Sequence, residues 1–449
     1  MPHNARALLL ALLVAGPAGA AAAQPIPLPP PPPAASGASG RIDPEAATRA
    51  YLDQVPPATR ARSDAYAEGG YWLSLFGFLW TAGSLLLLLF AGTSARMRDR
   101  AERLARPAGV RAAIYGAQFM IALSVLSFPL ELYRDHYREH QYGLSNLTLG
   151  GWLAEEAKGL ALAVVLGGLG VGLLYAIVRR AGKAWWLWGA VAATAFLAFL
   201  ALVTPVLIVP IFNEQKPLAD ARVVKPILAI ARANGIRAAQ VWEVDASKQT
   251  RRISANVAGL LGTERITLND NLLARASLPE VEAVMAHEMG HYVLHHIYKG
   301  LLEFGVLAVA GFGIVATLFE RLRRRYEARW RVRGIADPAG LPLAALLFSS
   351  YFFVLTPIVN TLGRTAEYEA DLFGLNAAGQ PDGFARAALH LAEYRKLEPG
   401  PFEEAIFYDH PSGRTRIHAA MRWKAGHPES WGAPGGGGDA SSEGGASPR

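Results

Sequence analysis

Residues 283–296 read Ala-Val-Met-Ala-His-Glu-Met-Gly-His-Tyr-Val-Leu-His-His. Inside this stretch lies His287-Glu288-Met289-Gly290-His291, an H-E-x-x-H. On an α-helix, positions i and i+4 share one face, one turn apart. Both imidazoles then reach a single Zn²⁺, and Glu288, one residue along, meets water in the open coordination position. The bare pattern also fits a buried helix with two satisfied histidines. Its flanks favour the metal: Val281, Ala283, Val284 and Met285, with Glu280 and Glu282 among them, read as the first turns of a helix. Ser277, with Glu280 three residues on, has the spacing of a capping box. Gly290 leaves room for another backbone to approach beside the metal.

Zinc needs a third protein ligand, and Arg364-Thr-Ala-Glu367-Tyr-Glu-Ala-Asp371 offers one downstream. Glu367 can complete a His/His/Glu set. Asp371, one turn further, can accept the outer N–H of a ligand histidine and fix its tautomer. Glu369 faces another way at this spacing and is set aside. Without the H-E-x-x-H, the same acids would read as a solvated helix face.

Working outward, the chain is 52% hydrophobic and 18% charged over 449 residues, with no cysteine. Its mean hydropathy is positive. This composition predicts a mainly α, polytopic membrane protein. The absent cysteines exclude disulfides, thiol catalysis and thiolate metal sites. The net charge of +7 sits largely in short arginine runs between apolar segments. Such runs read as topology determinants and not as a nucleic-acid patch. Six apolar stretches, Tyr71–Phe90, Ala112–Leu130, Leu160–Val178, Ala184–Phe212, Leu301–Phe319 and Leu341–Leu362, each approach the ~20 residues a spanning helix needs. Gly167, Gly168, Gly170 and Gly172 suit close helix packing in lipid. Pro205 and Pro210 predict a bend in the fourth stretch.

The predicted organisation follows. Residues 1–23 read as a signal peptide or an N-terminal anchor, with a short apolar core favouring cleavage. A proline-rich linker (24–42) and a helical segment (43–69) precede four spans within 70–212. A metal-binding α+β segment (213–299) follows, then two spans with a basic loop (300–362). The second part of the metal domain (363–425) leads to a Gly/Ser-rich tail (426–449) that reads as disordered. Within the first metal segment, Ala219–Asn234 reads as an amphipathic helix. Ala239–Val244, Arg252–Gly259 and Arg265–Leu268 read as strands. A strand edge beside the metal helix can hold an extended peptide. Asn256 can hydrogen-bond such a peptide's backbone, and equally fits an ordinary turn or edge position. His410, in His410-Pro-Ser-Gly, can stabilise an oxyanion, and read alone is equally a surface histidine.

These residues together resemble the integral-membrane type I CAAX prenyl endopeptidases, zinc-dependent gluzincins. The match runs through Thr204-Pro-Val-Leu-Ile-Val-Pro-Ile-Phe-Asn213, Ser254-Ala-Asn256, Ala286-His-Glu-Met-Gly-His291 with His296, Glu367-Tyr-Glu-Ala-Asp371, and His410-Pro with Arg416. It covers roughly 63–423. The resemblance implies one Zn²⁺ per chain on His287, His291 and Glu367, with Glu288 as catalytic base. It implies His410 as a transition-state group, Asn256 and Arg416 as substrate-binding groups, and a chamber walled by membrane helices. Peptide or protein substrates are implied, membrane-associated or lipidated ones among them. The family has seven spans, the first of which is replaced here by the signal-like segment and linker. A heat-shock-type quality-control metalloprotease would share this chemistry and differ in substrate. A non-catalytic channel or scaffold would not need the intact base and ligands.

Charge sets an expected orientation. Arg96, Arg98, Arg100, Arg103, Arg106 and Arg111 lie in the first inter-span loop. Arg179, Arg180 and Lys183 lie in the third, and Arg321, Arg323, Arg324, Arg325, Arg329, Arg331 and Arg333 in the fifth. These loops are then cytoplasmic. The metal segment and the C-terminal part face outward, toward the periplasm of a bacterial inner membrane. The helix carrying His287 is expected to run nearly continuously into Leu301–Phe319.

Overall fold

The computed structural model describes residues 29–32, 42–258 and 264–428. The signal-like segment, most of the linker, Gly259 at the end of the second expected strand and the tail from 429 lie outside the described residues. Among the described residues, apolar composition and length give six helical stretches that can cross a membrane: Pro57–Phe90, Ala108–Gln141, Leu149–Arg180, Gly182–Phe212, His296–Arg325 and Pro338–Ala378. They coincide with the six expected spans and overrun them with charged ends. The helices of the first half are α1 (Pro44–Leu52), α2 (Pro57–Phe90), α3 (Thr93–Leu104), α4 (Ala108–Glu131), α5 (Leu149–Arg180) and α6 (Trp185–Val203). Past α6, Thr204–Ile208 forms a π-helical turn around Pro205, whose missing N–H breaks the regular ladder there.

Small residues set the packing of α4 against α5. A Cβ on Gly116 would lie 2.8 Å from Val171 Cβ, and one on Gly168 3.2 Å from the Ala113 carbonyl. By contrast, the most apolar stretch of the fourth span has no buried residue. It contributes a wall and not a core.

After the fourth span the pattern changes to a small sheet with helices. The strands are β1 (Gln215–Pro217), β2 (Val241–Val244), β3 (Ala255–Ala258) and β4 (Arg265–Asn269), in spatial order β1-β2-β4-β3. β2 and β4 run parallel; β1 and β3 flank them antiparallel. Helices α7 (Ala221–Ala233), α8 (Asp270–Arg275) and α9 (Leu278–Val293) accompany the sheet. Ile227, Ile266, Leu268, Val281, Met285 and Met289 form their shared core. β1 was not expected from sequence: Gln-Lys-Pro carries no period-2 apolar pattern. β3 lies at one edge of the sheet, close to α9.

The chain returns to the membrane in α10 (His296–Arg325) and α11 (Leu341–Ala378), then packs α12 (Pro381–His390) against α9, α13 (Pro401–Phe407) against α11, and α14 (Gly413–Gly426) against α12 and α1. The expected near-continuity of α9 into α10 does not hold. The helix breaks at Leu294–His295, where His295 takes a left-handed conformation (φ 59°). The capping box of α9 is present: Ser277 and Glu280 satisfy each other's backbone N–H groups. Arg386 Nε bonds Glu280 at 2.7 Å and ties α12 to that end.

α11 positions the site. It has 38 residues, roughly 57 Å at helical rise, against a hydrocarbon core of about 30 Å. Its C-terminal turns therefore project beyond the span and lie along α9. The two backbones approach closely. A Cβ on Gly290 would be 3.1 Å from Ala370 Cα, and one on Gly374 2.9 Å from the His287 nitrogen.

Candidate active site

That close approach places Glu367 and Asp371 of α11 against His287 and His291 of α9. The two Nε2 atoms are 3.1 Å apart. Glu367 lies 3.3 Å from His287 Nε2 and 3.4 Å from His291 Nε2. A tetrahedral Zn²⁺ with Zn–N of about 2.0–2.1 Å requires ligand atoms roughly 3.3 Å from one another. The three side chains expected from sequence therefore fit a metal ion. Among the described residues they are the one such group of three or more His, Asp or Glu side chains.

Each histidine is held from behind. His287 Nδ1 lies 2.8 Å from Asp371 Oδ1, so Nδ1–H donates to the carboxylate and Nε2 keeps its lone pair for a metal. Asp371 is fully buried and takes two further bonds from Arg416, including Nε to Oδ2 at 3.0 Å. The resemblance implied Arg416 as a substrate-binding group. Its guanidinium is joined to Asp371, and the side chain also lines the cavity.

The second histidine has a support that sequence reasoning missed. His291 Nδ1 lies 2.9 Å from His296 Nδ1, and His296 Nε2 lies 3.1 Å from Glu369 Oε2. Lys299 Nζ completes the row at 2.8 Å from Glu369. Neutral tautomers satisfy the chain in one direction: His291 donates to His296, and His296 donates to Glu369. The break at His295 turns His296 back onto the metal helix and makes this row possible. The repeated histidines at 295 and 296 were the available signal.

A cavity of about 300 Å³ opens on the group. Glu288 lines it beside His287, His291 and Glu367, with Ser254, Ala255, Phe384, Tyr394, His410 and Arg416 around them. Burial pushes the Glu288 carboxyl up to about 7, with His287 opposing. Burial works against charge on His287, but in the metal-free site Asp371 and Glu367 outweigh it and raise the ring to about 9, so that metal binding there would release a proton from Nε2. Burial, then His287, presses His291 down to about 4. Asn256 is exposed on β3, opposite Thr267 of β4, and is not among the residues lining the cavity.

His410 reaches the group from the connection between α13 and α14. Its Nε2 lies 3.5 Å from Glu367 Oε1, and its Nδ1 lies 2.7 Å from Asp409. α11 fixes that connection. Asn360 Nδ2 bonds the Ile406 carbonyl at 2.7 Å, and Arg364 donates to the carbonyls of Glu404 and Tyr408. Gly363 admits the loop, since a Cβ there would sit 3.0 Å from the Asp409 carbonyl oxygen. One membrane helix thus carries the carboxylate candidate and holds the histidine opposite it.

The model for peptidase family M48 matches residues 217–424. The model described as CAAX prenyl protease N-terminal, five membrane helices, matches 44–214. The chain is 28% identical to the uncharacterized metalloprotease YhfN of Bacillus subtilis, covering 82% of this chain and 88% of the relative. It is 24% identical to CAAX prenyl protease 1 of Saccharomyces cerevisiae, covering 82% and 86%. The crystal structure of S. mikatae Ste24p shares the fold, with a TM-score of 0.69 and 23% identity over 82% of this chain and 90% of that one. With both halves of the chain matched and the His/His/Glu group assembled at a cavity, residues 217–424 form a peptidase family M48 domain and the chain is a multi-pass membrane metalloendopeptidase.

Proposed function

We propose that the metal is Zn²⁺, one per chain, held by His287 Nε2, His291 Nε2 and Glu367, and that Glu288 is the catalytic base. The mutual spacing of 3.1–3.4 Å among the three ligand side chains carries this reading. The all-N/O donor set and neutral Nε2 atoms suit zinc. When bound, the ion supplies a Lewis acid and an acidified water at neutral pH. Glu288 takes the proton of the attacking water and returns it to the leaving amine. His410, its ring oriented by the Nδ1 contact to Asp409, faces the site through Nε2, where an N–H would meet the carbonyl oxygen as negative charge develops. Asp371 fixes the His287 ring, and Arg416 fixes Asp371. The row from His296 to Glu369 does the same for His291. A peptide extended along the outer edge of β3 would bring its backbone to Asn256 and its scissile carbonyl to the cavity.

Zinc is tested by metal removal. Protein purified in detergent should carry about one Zn²⁺ per chain and cleave peptides. A chelator should abolish cleavage, and restored Zn²⁺ should recover it where Mg²⁺ does not. Full activity after complete zinc removal would refute the assignment.

The substrate class we propose is a peptide or protein at or in the membrane, lipidated chains included. The site stands at the ends of membrane helices, and the yeast relative is named for CAAX prenyl substrates. The basic loops support an outward, periplasmic site in a bacterial inner membrane, which favours exported or membrane-embedded substrates over cytoplasmic ones. Reporter fusions after Asn213 and after Trp423 check this. Alkaline phosphatase should be active at both, and a cytoplasmic fluorescent reporter active at either reverses the orientation.

A further inference from the structure

The membrane end opposite the metal group contains a second cavity, of about 280 Å³, where the basic loops meet. Four arginines line it: Arg98, Arg111, Arg179 and Arg333. They come from α3, α4, α5 and the α10–α11 connection. Two are neutralised within the chain. Arg98 is buried and donates to Asp337 Oδ2 at 2.7 Å, and Arg333 Nη1 reaches Glu102 at 2.6 Å. Arg111 and Arg179 show no carboxylate within ion-pair distance among the described residues. The cavity holds two carboxylates, Asp337 and Glu102, and both are taken. Its Tyr115 hydroxyl is also occupied, 2.7 Å from Ser94 Oγ. The groups of this cavity left without a protein carboxylate are two guanidiniums, Arg111 half-buried and Arg179 exposed at its mouth.

A guanidinium presents a planar fork that matches the oxygens of a phosphate. Arg324, at the same end, differs in its place and not in its charge. Arg324 is 76% exposed on α10, with Glu320 3.9 Å away. Positive charge that merely orients the chain needs no convergence on a cavity, so Arg111 and Arg179 ask for an occupant. The helices presenting them also expose large apolar residues, Val110 on α4 and Leu169 and Leu173 on α5. An anion with acyl chains can satisfy both surfaces, and a free inorganic anion can satisfy one. Basic pockets between membrane helices take lipid headgroups on this principle.

We propose that this cavity binds the phosphodiester headgroup of an anionic membrane lipid, with Arg111 and Arg179 contacting the phosphate. The test titrates the full chain in neutral detergent with phosphatidylglycerol or phosphatidylcholine, followed by native mass spectrometry. Wild type should prefer phosphatidylglycerol. Arg111→Gln and Arg179→Gln should each weaken that preference about fivefold, and the double variant at least tenfold, at the worth of one membrane-surface cation apiece. Arg324→Gln, which removes equal charge from the same end, should leave it unchanged. Peptide cleavage, at the far end of the molecule, reports folding, and the single variants carry the test where the double fails to fold. A double variant with wild-type preference overturns the site. So does an Arg324→Gln loss as large as that of the cavity variants, which would mean diffuse attraction. Displacement of phosphatidylglycerol by millimolar inorganic phosphate alone would reassign the cavity to free phosphate and overturn the lipid.

Discussion

Glu288→Gln is expected to retain its metal and lose peptide hydrolysis by about 10²–10⁴-fold, the usual worth of a positioned acid–base group. Glutamine keeps the shape and fills the same place beside His287 and His291 in the cavity, but it cannot take a proton from water. The three ligand side chains are untouched, so metal content should stay near one ion per chain. His287→Ala differs in kind. It deletes one corner of a donor set whose atoms all lie within 4.8 Å of one another, so metal and activity should fall together. Metal analysis and single-turnover cleavage on the same two preparations separate the roles. A folded Glu288→Gln protein without metal would make Glu288 a ligand and defeat the assignment. An active one would remove it from the chemistry.

The parts of this arrangement legible in sequence were those written in local pattern. Spans follow from composition. The paired histidines follow from helical period, and so does the Glu367–Asp371 pair on α11. The glycine at 290 was read as a close approach, and α11 passes there. The parts not legible depend on chain segments far apart. Neither glycine nor proline stands at Val293-Leu294-His295 to mark a helix end, and the histidines there are only a weak stop signal. The left-handed His295 nevertheless ends α9 and swings His296 onto His291. Glu369 was set aside because its spacing from Glu367 turns it to another face. That face is the one His296 and Lys299 occupy from α10. β1 consists of three residues whose only strand signal is their partner β2. The partnership of Arg416 with Asp371 joins residues 45 apart in sequence, so no period could reveal it.

That partnership leads to the second large effect. Asp371 is fully buried, and the Arg416 side chain is 11% exposed. Removing one member of a buried pair leaves an uncompensated charge, at a cost of about 3–5 kcal/mol. Arg416→Ala should therefore destabilise even the metal-free protein, although Arg416 is not a ligand. Asp371→Ala should do the same by stranding the guanidinium. It should also release His287 Nδ1, lowering metal affinity about 10–100-fold. The double replacement removes both charges, so its loss of stability should be smaller than the sum of the two singles. Its metal affinity should stay as low as that of Asp371→Ala, because the ring is equally unheld. Thermal unfolding of the metal-free proteins reads the first quantity, and competition with a zinc indicator reads the second. If Arg416→Ala unfolds at the wild-type temperature, the pair is not a strut of the fold. If it keeps stability but loses substrate affinity, Arg416 belongs to the substrate after all, and the cavity wall it reaches becomes its place of action.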